Sequence, residues 1–135
     1  MILVDSSVWI DYLRDAPVPV VDELEDLIRS GADIRITEPV IMELLAGSSR
    51  NGDAVESLVN GLPLLRTDSM VDFRAAGELF RASRRNGRPI RSLVDCLIAA
   101  IAIRHDAALL HKDRDFAFLA EISPLRLHPP VPPPD

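Results

Sequence analysis

Ile2-Leu3-Val4 constrains the fold more than any other stretch of this chain: three consecutive aliphatic residues that stop abruptly at Asp5. Successive side chains of a strand point to opposite faces, so a run that is apolar at every position must be covered on both sides. Ile34-Arg35-Ile36 and Ala108-Leu109-Leu110 read as further short strands, with possible strands at Leu64-Leu65 and near Leu125. Helical periodicity fills the intervals between them. Val8, Trp9, Tyr12 and Leu13 mark a first helix, with Ser6 or Ser7 available to cap it. Pro17 or Pro19 opens a second, through Val21, Leu24, Leu27 and Ile28, and Gly31 ends it. Thr37 and Pro39 start a third, carrying Ile41, Met42, Leu44 and Leu45. A loop from Ser48 to Asp53 and a short helix follow.

Asp68 caps a long helix that ends at Asn86-Gly87. The next, from about Arg91 to His105, is apolar on nearly every face and is expected to lie inside the domain. A short helix from Phe116 to Leu119 precedes the last strand. Short apolar strands alternating with helices specify an α/β fold. We expect a three-layer α/β/α sandwich around a central, mainly parallel sheet of four or five short strands. The chain of 135 residues suits one domain, expected over 1–127, with a proline-rich, extended and mobile tail over 128–135.

Hydrophobic residues make up 47% of the chain and charged residues 27%, enough for an ordinary core and against global disorder. The longest apolar run, Cys96 to Ile103, is far below the roughly 20 residues a membrane span needs. A single cysteine excludes an internal disulfide, and the start of the chain lacks the basic flank and length of a signal segment; a reducing cytoplasm is the expected home. A net charge of −6 weighs against a nucleic-acid partner. If five of its acids share one pocket, however, the rest of the chain is close to neutral.

Those acids are the chemistry of the sequence. Asp5 follows directly on a buried strand, and open α/β sheets bind ligands outside the carboxyl ends of their strands. Read alone, Asp5 serves equally well as a helix cap. Asp95 is flanked by Leu93, Val94, Cys96, Leu97 and Ile98, and a buried carboxylate needs a partner; Arg91, one turn earlier, offers an ordinary ion pair and a metal offers another solution. Asp113 and Asp115 follow the strand Ala108-Leu109-Leu110, where Asp115 can also be a cap. Glu43 sits among Ile41, Met42, Leu44 and Leu45.

Together these acids point to a cation. Two like charges about 4 Å apart repel by about 4 kcal/mol at an effective dielectric near 20. Converging carboxylates must therefore be protonated or neutralised by a cation, and Mg²⁺, or Mn²⁺ in its place, is the hard, oxygen-seeking choice. The scattered histidines and single cysteine offer no zinc set. Hydrolysis of a phosphodiester by metal-activated water is the chemistry such a site supports.

The set Asp5-Ser6-Ser7, Glu38-Pro39-Val40-Ile41-Met42-Glu43, Ser92-Leu93-Val94-Asp95-Cys96-Leu97-Ile98-Ala99 and Asp113-Arg114-Asp115-Phe116 resembles the PIN-domain ribonucleases, and more narrowly the VapC toxins of bacterial VapBC toxin–antitoxin pairs. The resemblance runs from Met1 to about Leu127. It implies a Mg²⁺-dependent endoribonuclease acting on structured RNA such as tRNA, and a homodimer. It also implies a VapB-type antitoxin that forms a higher complex and obstructs the site, often with an arginine. By motif, Asp5, Glu43, Asp95 and Asp113 are the catalytic, metal-binding quartet, with Asp115 a further or outer acid and Ser6 a hydroxyl that orients a carboxylate or a metal-bound water. His111 departs from the Thr or Asn of many members, which leaves open the hydrogen bonding around Asp113.

Arg81, Arg84, Arg85, Arg88 and Arg91 lead into the Asp95 helix, the first four spaced to share one face if the helix persists. They are expected to hold RNA phosphates or, on the plainer reading, to form a solvated face at a helix C-terminus. With one Trp, one Tyr and four Phe, base stacking is a small part of recognition, and Trp9 is expected in the core or a dimer interface. Two other classes compete. An aspartate-nucleophile phosphatase of the haloacid dehalogenase type needs a second Asp two positions after the first, where this chain has Ser7. A non-catalytic acidic pocket, as in a receiver-like regulatory or binding domain, lacks the paired acids before Asp5 that a receiver requires.

Overall fold

The structure, a computed structural model, describes residues 1–47 and 52–129. Its elements run β1 (Ile2–Val4), α1 (Ser6–Leu13), α2 (Pro19–Arg29), β2 (Ile34–Thr37), α3 (Glu38–Ala46), α4 (Gly52–Gly61), β3 (Leu64–Leu65), α5 (Ser69–Arg85), α6 (Leu93–Arg104), β4 (Ala108–Leu110), α7 (Arg114–Glu121) and β5 (Arg126–His128). Among the described residues the five strands form one all-parallel sheet, ordered β3-β2-β1-β4-β5, in the α/β/α arrangement expected.

That order places the site. From β1 the chain steps outward to β2 and β3, then crosses back to β4 on the other side of β1 and steps outward to β5. The direction reverses between β1 and β4, and at such a switch point connections leave a crevice outside the carboxyl ends of the strands. β1 and β4 are paired through Val4 and Leu110, and the Asp5 N–H continues the ladder to the Leu110 carbonyl at 2.9 Å. Asp5 and the segment holding Asp113 therefore leave the sheet side by side.

The core is as the apolar runs require. Leu3, Val4, Leu109 and Leu110 are fully buried, under Trp9, Ile98, Ile101, Phe116 and Leu119. Each such side chain contributes about 1.5–3 kcal/mol by leaving water. Trp9 belongs to this core, edge-on to Tyr12 at 5.6 Å between ring centroids.

One polar network is buried with it. Asp72 accepts both Nε and Nη2 of Arg104, at 2.8 and 3.0 Å, and the Asp68 N–H at 2.7 Å. The Arg104 Nη2 also donates to the Arg66 carbonyl at 2.6 Å, so α6 is clamped to the start of α5 and to the segment after β3.

Several boundaries differ from expectation. Asp5, not Ser6 or Ser7, caps α1: its carboxylate accepts the Ser7 N–H, and both serines lie inside the helix with their hydroxyls engaged elsewhere. Gly52 and Asp53 belong to α4 rather than to a loop, and the remainder of that expected loop, 48–51, lies outside the described residues. The inner helix starts at Leu93 with Ser92 as its cap. Its first turn is open, with Leu93 58% exposed; Cys96 is buried, and continuous burial begins only at Ile98. β5 extends through His128, and 130–135 of the expected tail lie outside the described residues.

Candidate active site

Asp5 is drawn into the protein by its place on the end of β1 and is only 4% exposed. Its Oδ2 accepts from the Ser7 N–H at 3.2 Å and from the Ser7 hydroxyl, while its buried Oδ1 has no hydrogen-bond partner among the described residues. Burial pushes its carboxyl above the usual range despite the Ser7 bonds. Ser6, one residue on, donates its hydroxyl to Glu43 Oε1 at 2.8 Å and so ties α3 to α1 across the opening. Desolvation raises the Glu43 carboxyl as well, with the Asp5 charge adding to it.

Asp95 enters from the first turn of α6, its own N–H capped by Ser92 Oγ at 3.3 Å. Burial, followed by the charges of Asp5, Glu43, Asp113 and Asp115, pushes its carboxyl up to about 7. Arg91 is exposed and forms no ion pair with Asp95 among the described residues, so the ordinary partner is missing. Asp113 caps α7 by accepting the Asp115 N–H at 2.9 Å, leaving Asp115 in the first turn instead of at the cap.

These positions converge. A cleft of about 510 Å³ is lined by Asp5, Ser6, Glu43, Asp95, Asp113 and Lys112, among others. Carboxylate oxygens of Asp95, Asp113 and Asp115 lie within 4.8 Å of one another, with Asp113 exposed and the other two half-buried. Asp115 itself lines an adjoining groove. A hard divalent cation fits this donor set: all-oxygen ligands, a buried oxygen on Asp5 without a donor among the described residues, and a carboxyl on Asp95 raised by burial and by its neighbours' charge.

His111 bonds the Asp113 carbonyl through Nδ1 at 2.8 Å; a carbonyl only accepts, so the proton sits on Nδ1. Burial holds its pKa below the usual value. Its bond is therefore to the backbone of Asp113, and the Asp113 carboxylate is left to cap α7.

Two residues were not singled out by sequence. Asp11 is 3% exposed, with Lys112 Nζ on its Oδ2 at 2.6 Å and Arg14 at 3.4 Å on Oδ1. Lys112 thereby stands at the cleft wall, fixed from α1. The available signal was a carboxylate between Ile10 and Tyr12, the same signal that identified Asp95.

The arginines do not form one helical face. α5 ends at Arg85, Asn86 is its C-cap, and Gly87 takes the left-handed conformation (φ +78°) that turns the chain away. Arg81 pairs with Glu78 at 3.5 Å, Arg84 lies 4.7 Å over the Phe80 ring, and Arg85 lines a separate cavity with Asp72 and Arg104. Arg88 alone of the five lines the groove that contains Asp115.

A model of the PIN domain matches residues 2–122. The chain is 44% identical over 129 residues to Ribonuclease VapC11 of Mycobacterium tuberculosis, covering 93% of this chain and 96% of that protein. It is 36% identical over 127 residues to Ribonuclease VapC19 of the same organism, covering 92% and 98%. The crystal structure of VapBC2 from Rickettsia felis bound to a DNA fragment from their promoter superposes with a TM-score of 0.72 at 23% identity, covering 95% of this chain and 98% of that one. The chain belongs to the PIN-domain family and, within it, to the VapC ribonucleases. Among the described residues no helix is long and apolar enough to cross a membrane.

Proposed function

We propose that this chain is a divalent-metal-dependent endoribonuclease, the toxin of a cytoplasmic toxin–antitoxin pair, and that it cleaves structured RNA such as tRNA. The observation that carries this reading is the gathering of Asp5, Glu43, Asp95 and Asp113 in one cleft, with Asp95 held near 7 by burial and by the other acids. These four are the proposed catalytic and metal-binding residues, and Asp115, whose carboxylate oxygen lies within 4.8 Å of those of Asp95 and Asp113, is a further proposed metal ligand. When bound, Mg²⁺ or Mn²⁺ supplies a water of lowered pKa and neutralises charge on a phosphoryl oxygen.

The chain's own residues do the rest. Asp5 Oδ1 is an oxygen that no donor among the described residues occupies. Ser6 fixes the orientation of Glu43. Asp95 is poised between acid and carboxylate near neutral pH, so a cation and a proton compete for it. Lys112, anchored on Asp11, places one positive charge at the wall of an otherwise acidic cleft, suited to an RNA phosphate. Arg81, Arg84, Arg85, Arg88 and Arg91 belong to the proposed RNA surface, with Arg88 nearest in arrangement to the acids.

The phosphatase alternative is disfavoured because the position of its second acid is Ser7, whose hydroxyl is bonded to Asp5. A binding-only pocket has no specific observation in its favour. A VapB-type antitoxin and a homodimer are the proposed protein partners; Met70 at 69%, Phe73 at 56% and Leu93 at 58% exposure supply apolar surface for such contacts.

The test is incubation of purified protein with tRNA and Mg²⁺, with and without EDTA, beside Asp5→Ala. Discrete fragments that require metal and Asp5 are expected. RNA left intact under every metal condition would refute the ribonuclease reading.

A further inference from the structure

Arg114 is an awkward residue for stability. It occupies the first turn of α7, directly after the cap Asp113, where the helix dipole disfavours a cation. It is exposed and, although Asp113 and Asp115 flank it in sequence, it forms no ion pair among the described residues. It nevertheless lines two cavities: the acidic cleft and the adjoining groove of about 410 Å³.

The far wall of that groove carries a second cation. Arg88 reaches in from the connection between α5 and α6, its guanidinium 4.9 Å over the Phe118 ring. Its contact with Glu121 is 3.4 Å long between two largely exposed side chains, a pair that water screens and a phosphate can replace. Ile90, Ala117 and Phe118 give the groove an apolar floor. Phe118 is 9% exposed and already covered by Arg88, so the floor does not offer a free ring for base stacking. Asp115 and Glu121 also line the groove, Asp115 on the side of the acidic cleft and Glu121 against Arg88; the two cations at its ends, with no free ring between them, suit the phosphates of a strand and not its bases.

We propose that the groove between Arg114 and Arg88 holds the RNA linkage next to the one cleaved, so that one strand runs from the acidic cleft over Arg114 to Arg88. This rests on the ribonuclease reading for what happens in the cleft, but occupancy of the groove is measurable without turnover. Arg114 and Arg88 act here as phosphate-positioning residues.

The experiment uses a fluorescein-labelled RNA hairpin with a single-stranded loop, bound in Ca²⁺ over a range of salt, with wild type, Arg114→Gln, Arg88→Gln, the double variant and Arg114→Lys. Each Gln variant is expected to bind about fivefold more weakly and to flatten the log–log salt slope by about 0.7, with Arg114→Lys restoring the slope. Neutral methylphosphonate linkages are then scanned along the loop. Wild type is expected to lose affinity at a linkage that the Arg114→Gln variant no longer senses. Unchanged melting temperatures separate this from a structural role. Wild type that binds no more tightly than the double variant at any salt, or a linkage scan equally felt by wild type and Arg114→Gln, overturns the proposal. Absence of metal-dependent tRNA cleavage overturns the ribonuclease reading instead, and leaves the binding comparison to judge the groove.

Discussion

Replacing Asp95 by Asn should make the metal-free protein more stable, not less. The Asp95 carboxyl ionises near 3.8 in an unfolded chain and at about 7 in the fold, because burial and the charges of Asp5, Glu43, Asp113 and Asp115 all oppose its negative form. Between about pH 4 and 7 the folded protein retains a proton that the unfolded chain has released, so stability falls as pH rises through that window and stays low above it. At about 1.4 kcal/mol for each tenfold displacement, the ceiling is about 4 kcal/mol. Asp95 is half-buried, and water screens part of this, which leaves about 2 kcal/mol. Asn keeps the size and removes the charge. For 135 residues, an unfolding entropy of about 0.3 kcal/mol/K converts 2 kcal/mol into about 7 °C. Thermal melts in EDTA and low salt, from pH 4.5 to 8.5, should show the variant melting about 7 °C above wild type at pH 8 and nearly level with it at pH 4.5. Adding Mg²⁺ should narrow the gap by raising wild type. A variant that melts at or below wild type at pH 8 in EDTA would refute the reasoning, since it would mean that Asp95 has a favourable partner in the fold.

Asp72→Ala removes the buried partner of Arg104 and the acceptor for the Asp68 N–H; a loss of about 3 kcal/mol is expected, read as a denaturation midpoint well below wild type. The same substitution should leave the RNA fragment pattern unchanged, because the pair lies away from the acidic cleft. Ser6→Ala frees Glu43 without touching the backbone, and a tenfold or greater loss in metal affinity or cleavage rate is expected at little change in melting temperature. Lys112→Met should raise KM for RNA and flatten its salt dependence while the rate at saturation changes less.

The fold was legible because its strands are short and apolar on both faces. Ile2-Leu3-Val4 and Ala108-Leu109-Leu110 admit few environments other than the centre of a covered parallel sheet, and they pair with each other. Asp5, Asp95, Asp113 and Glu43 were legible as acids in apolar settings or at strand ends, and they share one cleft. What stayed hidden depends on contacts distant in sequence or on local competition between donors. Lys112 and Asp11 are separated by 101 positions, and no periodicity links them. The cap of α1 could not be chosen among Asp5, Ser6 and Ser7 until α3 drew the Ser6 hydroxyl to Glu43. The arginine stripe failed as a single face because Gly87 turns the chain after α5, a reversal visible only as Asn86-Gly87 in the sequence. Arg114 lies between two acids in the sequence, where nothing marks it, and its significance lies in the two cavities that meet at it.

Direct titration of Mn²⁺ into the metal-free protein, followed by the electron paramagnetic resonance signal of the free ion, tests the central claim that the four acids form a metal site. Saturable binding is predicted for wild type, weakened at least tenfold in Asp5→Asn and in Asp95→Asn, with tRNA cleavage rising in step with occupancy. Binding that is absent, or equal in wild type and both variants, would contradict it.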